Sequence, residues 1–440
     1  MIKTLLTLAL TVTVLSVPAM SLSLSEAVEI ALRNRGDVSA SRESLESARW
    51  GARTASTWFL PQVNAVLAYT KNEDISGFSI PGIGEIQTGT TYQSQYGLTA
   101  SVPILVPQAV TGSSMAGISR ELAEYDLAST EIAAVQQVIA SFYGVLLSEM
   151  LLDVSTEALN VAREGYRLAE TRYEAGTISR FELLQNQVAY ENRKPDSISA
   201  ATGLENACAA LAVAIGTGCD VPAVVEGDLT DPFPITLPST LDEARGVMLA
   251  HSPGLFTAEA LRDMGDAGVR HAAAAFGPTV AFQTSLMYQG GADEIEEINS
   301  TIYSRNLTYS VSVSIPIVRG ITDYAGYRGA RADRMAANAR AADLERYSEL
   351  ALVQAWNRLA EARQTVIAAS ATVELAAEAL GIAVVSYEAG LITRLEMDQA
   401  FLAHTQARTN YASALYGMKT AEAGLAAAMG ILTLDGEDSE

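Results

Sequence analysis

Tyr173-Glu174-Ala175-Gly176-Thr177-Ile178-Ser179-Arg180 returns further along the chain as Tyr387-Glu388-Ala389-Gly390-Leu391-Ile392-Thr393-Arg394. Other landmarks recur at nearly the same spacing. Ser23-Leu24-Ser25-Glu26-Ala27 matches Thr240-Leu241-Asp242-Glu243-Ala244, Phe59-Leu60-Pro61 matches Phe276-Gly277-Pro278, and Ser101-Val102-Pro103-Ile104 matches Ser314-Ile315-Pro316-Ile317. The offset stays near about 214 residues, so two copies of one unit fill almost the whole chain. The first copy is expected over 22–220 and the second over 240–430, joined by a proline-rich linker at 221–239 and followed by a short acidic tail at 431–440. Each copy reads as helix, strand, acidic loop, strand, very long helix, tight turn and helix.

The strand signals are period-two alternations. In the first copy Val63, Ala65, Leu67 and Tyr69 alternate with Asn64, Val66, Ala68 and Thr70, and Tyr96, Leu98, Ala100 and Val102 with Gln95, Gly97, Thr99 and Ser101. The second copy has Val280, Phe282, Thr284, Leu286 and Tyr288, then Leu307, Tyr309, Val311, Val313 and Ile315, against small polar residues. Apolar residues outward and small polar ones inward over some ten residues describe a transmembrane β-strand, although a half-buried soluble sheet alternates in the same way.

The helices decide between these. A proline-free helical pattern runs from about Gln108 to Tyr173, with apolar steps of three, four or seven through Ile118, Leu122, Tyr125, Ile132, Val135, Ile139, Phe142 and Leu146. Leu352, Trp356, Leu359, Val366, Val373, Ala377 and Leu380 form the corresponding seam in the second copy. At 1.5 Å per residue such a helix is a rod of about 100 Å, a length that suits a tube wall and not a globular enzyme. Two strands per copy make four per chain, and four tilted strands cannot close a membrane barrel, for which eight is about the minimum. Open edges are not tolerated in lipid, so several chains must pool their strands.

Pro61 and Pro278 are expected where a helix hands over to a strand, and Pro103 and Pro316 where a strand hands back, since proline neither continues a helix nor donates within a ladder. The long acidic loops at 72–92 and 290–306 suit extracellular loops. Pro195 is expected to kink the helix after the first turn. Residues 1–21 read as a secretory signal: Lys3 supplies the charge, an apolar run follows, and Ala19-Met20-Ser21 offers a cleavage site; a retained anchor is the other reading. No later window reads as long and apolar enough for a transmembrane helix.

The net charge of −22 opposes binding to nucleic acid. Cys208 and Cys219 form a disulfide only if the turn at Gly216-Thr217-Gly218 brings their Cβ atoms together. With only His251, His271 and His404 beside them, the chain has no metal-site spacing, no nucleophile–His–acid set and no cofactor motif. Gly176 and Gly390 supply the left-handed residue that ends a helix at a tight reversal. Thr177 or Ser179, and Thr393, are candidate caps for the returning helices, with Glu182 and Glu396 in the first turn where the dipole favours negative charge.

The doubled Tyr-x-x-Gly turns, proline-marked junctions and helix–strand–strand–helix order resemble the TolC-like outer-membrane efflux protein family over roughly residues 24–430. The resemblance implies a mixed α and β membrane fold. A homotrimer would form a twelve-strand outer-membrane barrel, four strands per chain, set in outer-membrane lipid and continued through the periplasm by an α-helical coiled-coil tunnel. It also implies partners, a periplasmic adaptor protein and an inner-membrane pump of the resistance–nodulation–division or ABC type. The turns at Tyr173, Gly176, Thr177, Tyr387, Gly390 and Leu391 would touch the adaptor, and Arg180, Glu182, Arg394 and Glu396 are candidates for gate or lumen charge. In the best-studied members an Arg two residues after the glycine helps lock the closed tip. Here Ile178 and Ile392 hold that position and Arg180 and Arg394 follow two residues later. The function expected is an exit duct without chemistry, whose acidic lumen would favour cations. The alternative is an exported coiled-coil scaffold or adhesin without a channel.

Overall fold

The computed structural model describes residues 21–73, 77–82, 84–87, 89–218, 224–298 and 300–432. The expected signal apart from Ser21, Cys219 with its candidate bridge to Cys208, and the acidic tail beyond residue 432 lie outside the described residues. The elements run β1 Ser21–Leu22, α1 Leu24–Asn34, α2 Gly36–Ser56, β2 Gln62–Lys71, β3 Gly77–Ile80, β4 Gly84–Gln87, β5 Tyr92–Leu105, α3 Pro107–Glu174 and α4 Arg180–Ala214. They continue as β6 Val224–Val225, α5 Leu241–His251, α6 Pro253–Ala274, β7 Thr279–Ala292, a 3-10 turn Ile295–Glu297, β8 Ser304–Ser314, α7 Thr322–Glu388 and α8 Arg394–Met429. Two compact units draw on both halves of the chain: Met1–Arg42, Asp126–Leu255 and Arg346–Glu440 in one, Glu43–Tyr125 and Phe256–Glu345 in the other.

In the second of these units, β2, β5, β7 and β8 form one antiparallel sheet in that order. The register carries the alternation intact across all four strands. Leu67, Tyr96, Tyr288 and Arg305 share one row, and Ala65, Leu98, Leu286 and Leu307 the next. On the opposite face Asn64, Thr99, Ser285 and Thr308 share a row, beside Gln62, Ser101, Gln283 and Ser310. A shallow cavity of about 300 Å³ on this polar face is lined by Thr99, Ser101, Gln283, Ser285, Thr308 and Ser310. The apolar face is bare: Leu67 is 83% exposed and Tyr309 67%. Such a continuous apolar surface is not left open to water and marks contact with lipid or protein.

Its two ends differ. Tyr69 stacks near Tyr92 at 6.1 Å, and Tyr96 lies 5.2 Å from both Tyr288 and Tyr303. Lys71 and Arg305 sit among these rings, on the same face. Tyrosines with cationic side chains form the belt expected at a membrane–water interface. Gly97 is forced by close approach, because a Cβ there would lie 2.1 Å from the Leu286 carbonyl oxygen on β7. Among the described residues, β2 and β8 have no partner on their outer edges.

Pro61 and Pro278 directly precede β2 and β7 as expected, and Pro316 lies two residues beyond β8. Pro103 differs: it sits inside β5, which runs on to Leu105 through a register shift. The strand tolerates it because pairing with β2 has already ended at Ser101, leaving β7 as its one neighbour among the described residues. The first long loop contains the β3–β4 hairpin, which no alternation announced.

In the other unit, Val135, Val138, Ile139, Phe142, Val145 and Leu146 form a buried stripe on α3, packed with Ala27, Val28 and Ala31 of α1, Leu211 of α4 and Leu415 of α8. A second cluster joins Ala244 and Met248 of α5 to Leu352 and Leu359 of α7 and Leu425 and Met429 of α8. The expected seam on α7 departs at Ala377, which is exposed. The helix expected at the head of each copy is two helices. Arg35 and Ser252 adopt extended backbone at the break, and Pro253 accounts for the second because proline disfavours helix at the residue before it. Ser23 with Glu26 and Thr240 with Glu243 close capping boxes at matched positions. α4 runs unbroken through Pro195.

The expectation that no later window is apolar enough to span a membrane is overturned: α3, α4 and α7 each contain one. Abundant Ala raises their hydropathy, and the α7 window has no buried residue. The linker is also packed, with Val225 and Leu229 buried against the core. The Lys419 ammonium, 1% exposed, donates to the Asp231 carbonyl and lies 3.8 Å from Glu422 and over the Tyr143 ring. Burial pushes the Tyr143 hydroxyl up to about 12.

Candidate functional site

Both turns close in the same way. The Gly176 amide donates to the Tyr173 carbonyl at 2.9 Å and the Thr177 amide to Arg172 at 2.9 Å; in the second turn Gly390 donates to Tyr387 at 3.0 Å and Leu391 to Ser386 at 2.8 Å. These pairs are Schellman caps, and both glycines adopt the left-handed φ of 73° that the motif requires. Ser179, and not Thr177, caps α4, receiving the Glu182 amide at 3.2 Å. Thr177 instead serves the preceding helix, its hydroxyl donating to the Arg172 carbonyl at 2.8 Å.

In the second turn the cap is a full box. Thr393 Oγ1 accepts the Glu396 amide at 3.3 Å, and the Glu396 carboxylate accepts the Thr393 amide at 2.7 Å and hydroxyl at 2.9 Å. The Thr393 amide first, and then its hydroxyl, hold the Glu396 carboxyl below the usual range. A lowered carboxylate pKa contributes stability that is present at neutral pH and lost as pH falls through that lowered value. Thr393→Ala is expected to destabilise the start of α8 by about 1 kcal/mol. Hydrogen exchange in that turn should therefore be faster in the variant at pH 7, and the difference should narrow but persist in acid, because only the hydroxyl's bond to the Glu396 carboxylate titrates while its cap on the Glu396 amide does not.

The two matched arginines diverge. Arg180 is exposed at the first position of α4. Arg394 is turned inward: its Nε donates to Asp398 at 2.8 Å, and its Cζ lies 5.8 Å from the Tyr387 ring centroid. Its terminal nitrogen lies 3.3 Å from where a Cβ on Gly165 of α3 would be. Asn186 of α4 borders the same spot. It is 5% exposed, its Nδ2 donates to the Glu182 carbonyl at 2.9 Å, and its Oδ1 is buried without a hydrogen bond. Arg394 therefore draws together α3, α4, α7 and α8. Tyr166 and Tyr190, stacked at 6.1 Å, and Arg408 of α8, paired with Asp153 and Glu157, tie the same helices elsewhere.

Arg394 and Asp398 also form the wall between two recesses. A groove of about 770 Å³ runs between the starts of α4 and α8, lined by Phe181, Leu184, Val188, Ile392 and Leu395. A smaller one of about 330 Å³ lies among Val161, Ala189, Leu380, Val384 and Phe401. Phe181 and Leu391 are largely exposed. Tyr387 lines the first groove, while Tyr173 stays half-exposed on the last turn of α3. Sequence reasoning missed Gly165, Asn186 and Asp398. The i,i+4 spacing of Arg394 and Asp398 was the signal available for the last of them.

The chain thus combines a four-stranded sheet whose apolar face is largely exposed on its outer strands with helices of 68 and 67 residues that return through capped turns. The profile of the outer membrane efflux protein family matches twice, over residues 27–217 and 245–431, and the chain belongs to that family. It is accordingly placed in the outer membrane, with an extension into the periplasm. It is 25% identical over 268 residues to the pyoverdine export outer membrane protein OpmQ of Pseudomonas aeruginosa, covering 60% of this chain and 55% of OpmQ. The chain thus spans about half the length of that relative. Its fold is that of CusC (TM-score 0.77, 18% identity, 92% of each chain). The open-state outer membrane channel MtrE of Neisseria gonorrhoeae is similar too (TM-score 0.77, 19% identity, 94% of this chain and 91% of that one).

Proposed function

We propose that three copies pool their sheets into a twelve-strand barrel, continued by a helical tunnel, that passes cargo delivered by an inner-membrane pump through a periplasmic adaptor. The observation that carries this is the four-stranded sheet with a bare apolar face and two free edges, β2 and β8. Four strands leave backbone groups unpaired in lipid, whereas β2 and β8 run in opposite directions and so pair antiparallel between neighbouring copies. The apolar stretches of α3, α4 and α7 are then covered by sister helices. The exposed apolar side chains around the capped turns and the groove beside Phe181 and Leu395 suit an adaptor's docking surface, and Arg394 holds the tip closed. Small-molecule cargo is favoured by the export function named for OpmQ.

The test is direct. Purified protein should need detergent, migrate as a heat-sensitive trimer and conduct in planar bilayers. A detergent-free monomeric rod without conductance would leave the scaffold reading instead. A neighbouring gene for a resistance–nodulation–division pump would support small-molecule cargo, and one for an ABC transporter beside a secreted substrate would point to protein export.

A further inference from the structure

The polar face of the sheet contains hydroxyls, amides, small residues and the apolar Val66 and Met287, and not one charged side chain on any of its four strands. Charged residues make up 18% of the chain, so a water-facing surface of average composition and this size would carry several. The sheet's two cations, Lys71 and Arg305, stand on the other face, in the tyrosine belt. The acidity of the molecule, −22 overall, is therefore placed elsewhere.

We propose that the stranded wall of the duct is charge-blind: an uncharged, mostly hydroxyl and amide surface that passes cations, anions and neutral solutes alike, leaving discrimination by charge to the acidic loops and the helical section. The proposal rests on the duct reading above. Twelve strands spaced about 4.8 Å apart and tilted by about 40° enclose a backbone cylinder of about 24 Å, which side chains narrow to a water path with walls about 7 Å from its axis. That distance is shorter than the Debye length of about 8 Å at physiological salt. Even one ring of three carboxylates would favour a monovalent cation over an anion by about tenfold at the axis. A neutral wall in so narrow a tube is a functional property, because any charge on it would be felt by every solute that passes. Rows such as Asn64–Thr99–Ser285–Thr308 replace a passing solute's water contacts with neutral donors and acceptors that serve either sign.

The local potential can be read by thiol labelling. In trimers with Cys208→Ser and Cys219→Ser, Ser285→Cys or Thr308→Cys is modified with methanethiosulfonates bearing a sulfonate or a trimethylammonium head, while conductance reports the reaction. Rates relative to a small free thiol should agree between the two reagents within about twofold, and adding Gln283→Glu should then favour the cationic reagent by about tenfold. A several-fold preference for either sign without that addition would overturn the proposal, as would failure of Gln283→Glu to move the ratio. Conducting trimers in which neither cysteine reacts would show that this face does not line the lumen. Protein that forms no channel would defeat the duct reading itself, and with it this inference.

Discussion

Arg394→Ala is expected to raise single-channel conductance several-fold by shifting the tip towards its open form. The ion pair with Asp398 is a partly exposed i,i+4 contact and contributes only about 0.5 kcal/mol. The larger share comes from the guanidinium's position over Tyr387 and against the bare backbone of Gly165, beside the unbonded oxygen of Asn186. Losing all three leaves four helix ends without their common contact, about 1–2 kcal/mol in total and roughly a tenfold change in the open population. Arg180→Ala at the matched position removes an exposed side chain and should leave conductance unchanged. If the Arg394 variant keeps the closed-state conductance, that residue has no part in the gate.

Gly97→Ala is expected to abolish the trimer seen on unheated gels. The added carbon would meet the Leu286 carbonyl oxygen at 2.1 Å and Met287 Cα at 2.8 Å, both backbone atoms, so β5 and β7 must separate. That ladder joins strands from the two halves of the chain, and its loss costs about 3 kcal/mol per subunit, repeated in each of the three. Unheated gel electrophoresis of membranes would show monomer in place of trimer. Gly268→Ala, where nothing lies within 4 Å, is the control and should leave the oligomer intact.

Much of the fold was legible. The pattern read from Gln108 to Tyr173 corresponds to Pro107–Glu174, because a proline-free stretch with sustained apolar steps has no other regular solution. The alternations were legible for a similar reason, since period two leaves each side chain only two faces to occupy. What failed depended on distant partners. Pro103 marked a junction by local rules, yet the strand continues because, among the described residues, β7 alone remains beside it. The pairing of β5 with β7 across the two halves has no local signature at all. At the turns, the caps followed from residue type, but Arg180 and Arg394 looked equivalent; only packing against Gly165 and Asn186 separates them.

The free edges of β2 and β8 carry a genetic consequence. If each subunit supplies a third of the wall that its neighbours must zip onto, one misfolded copy leaves a gap no sibling can bridge. When altered and normal alleles are expressed equally and mix at random, only about one assembly in eight is wholly normal. Lesions in this sheet should therefore behave as dominant, whereas null alleles should be recessive.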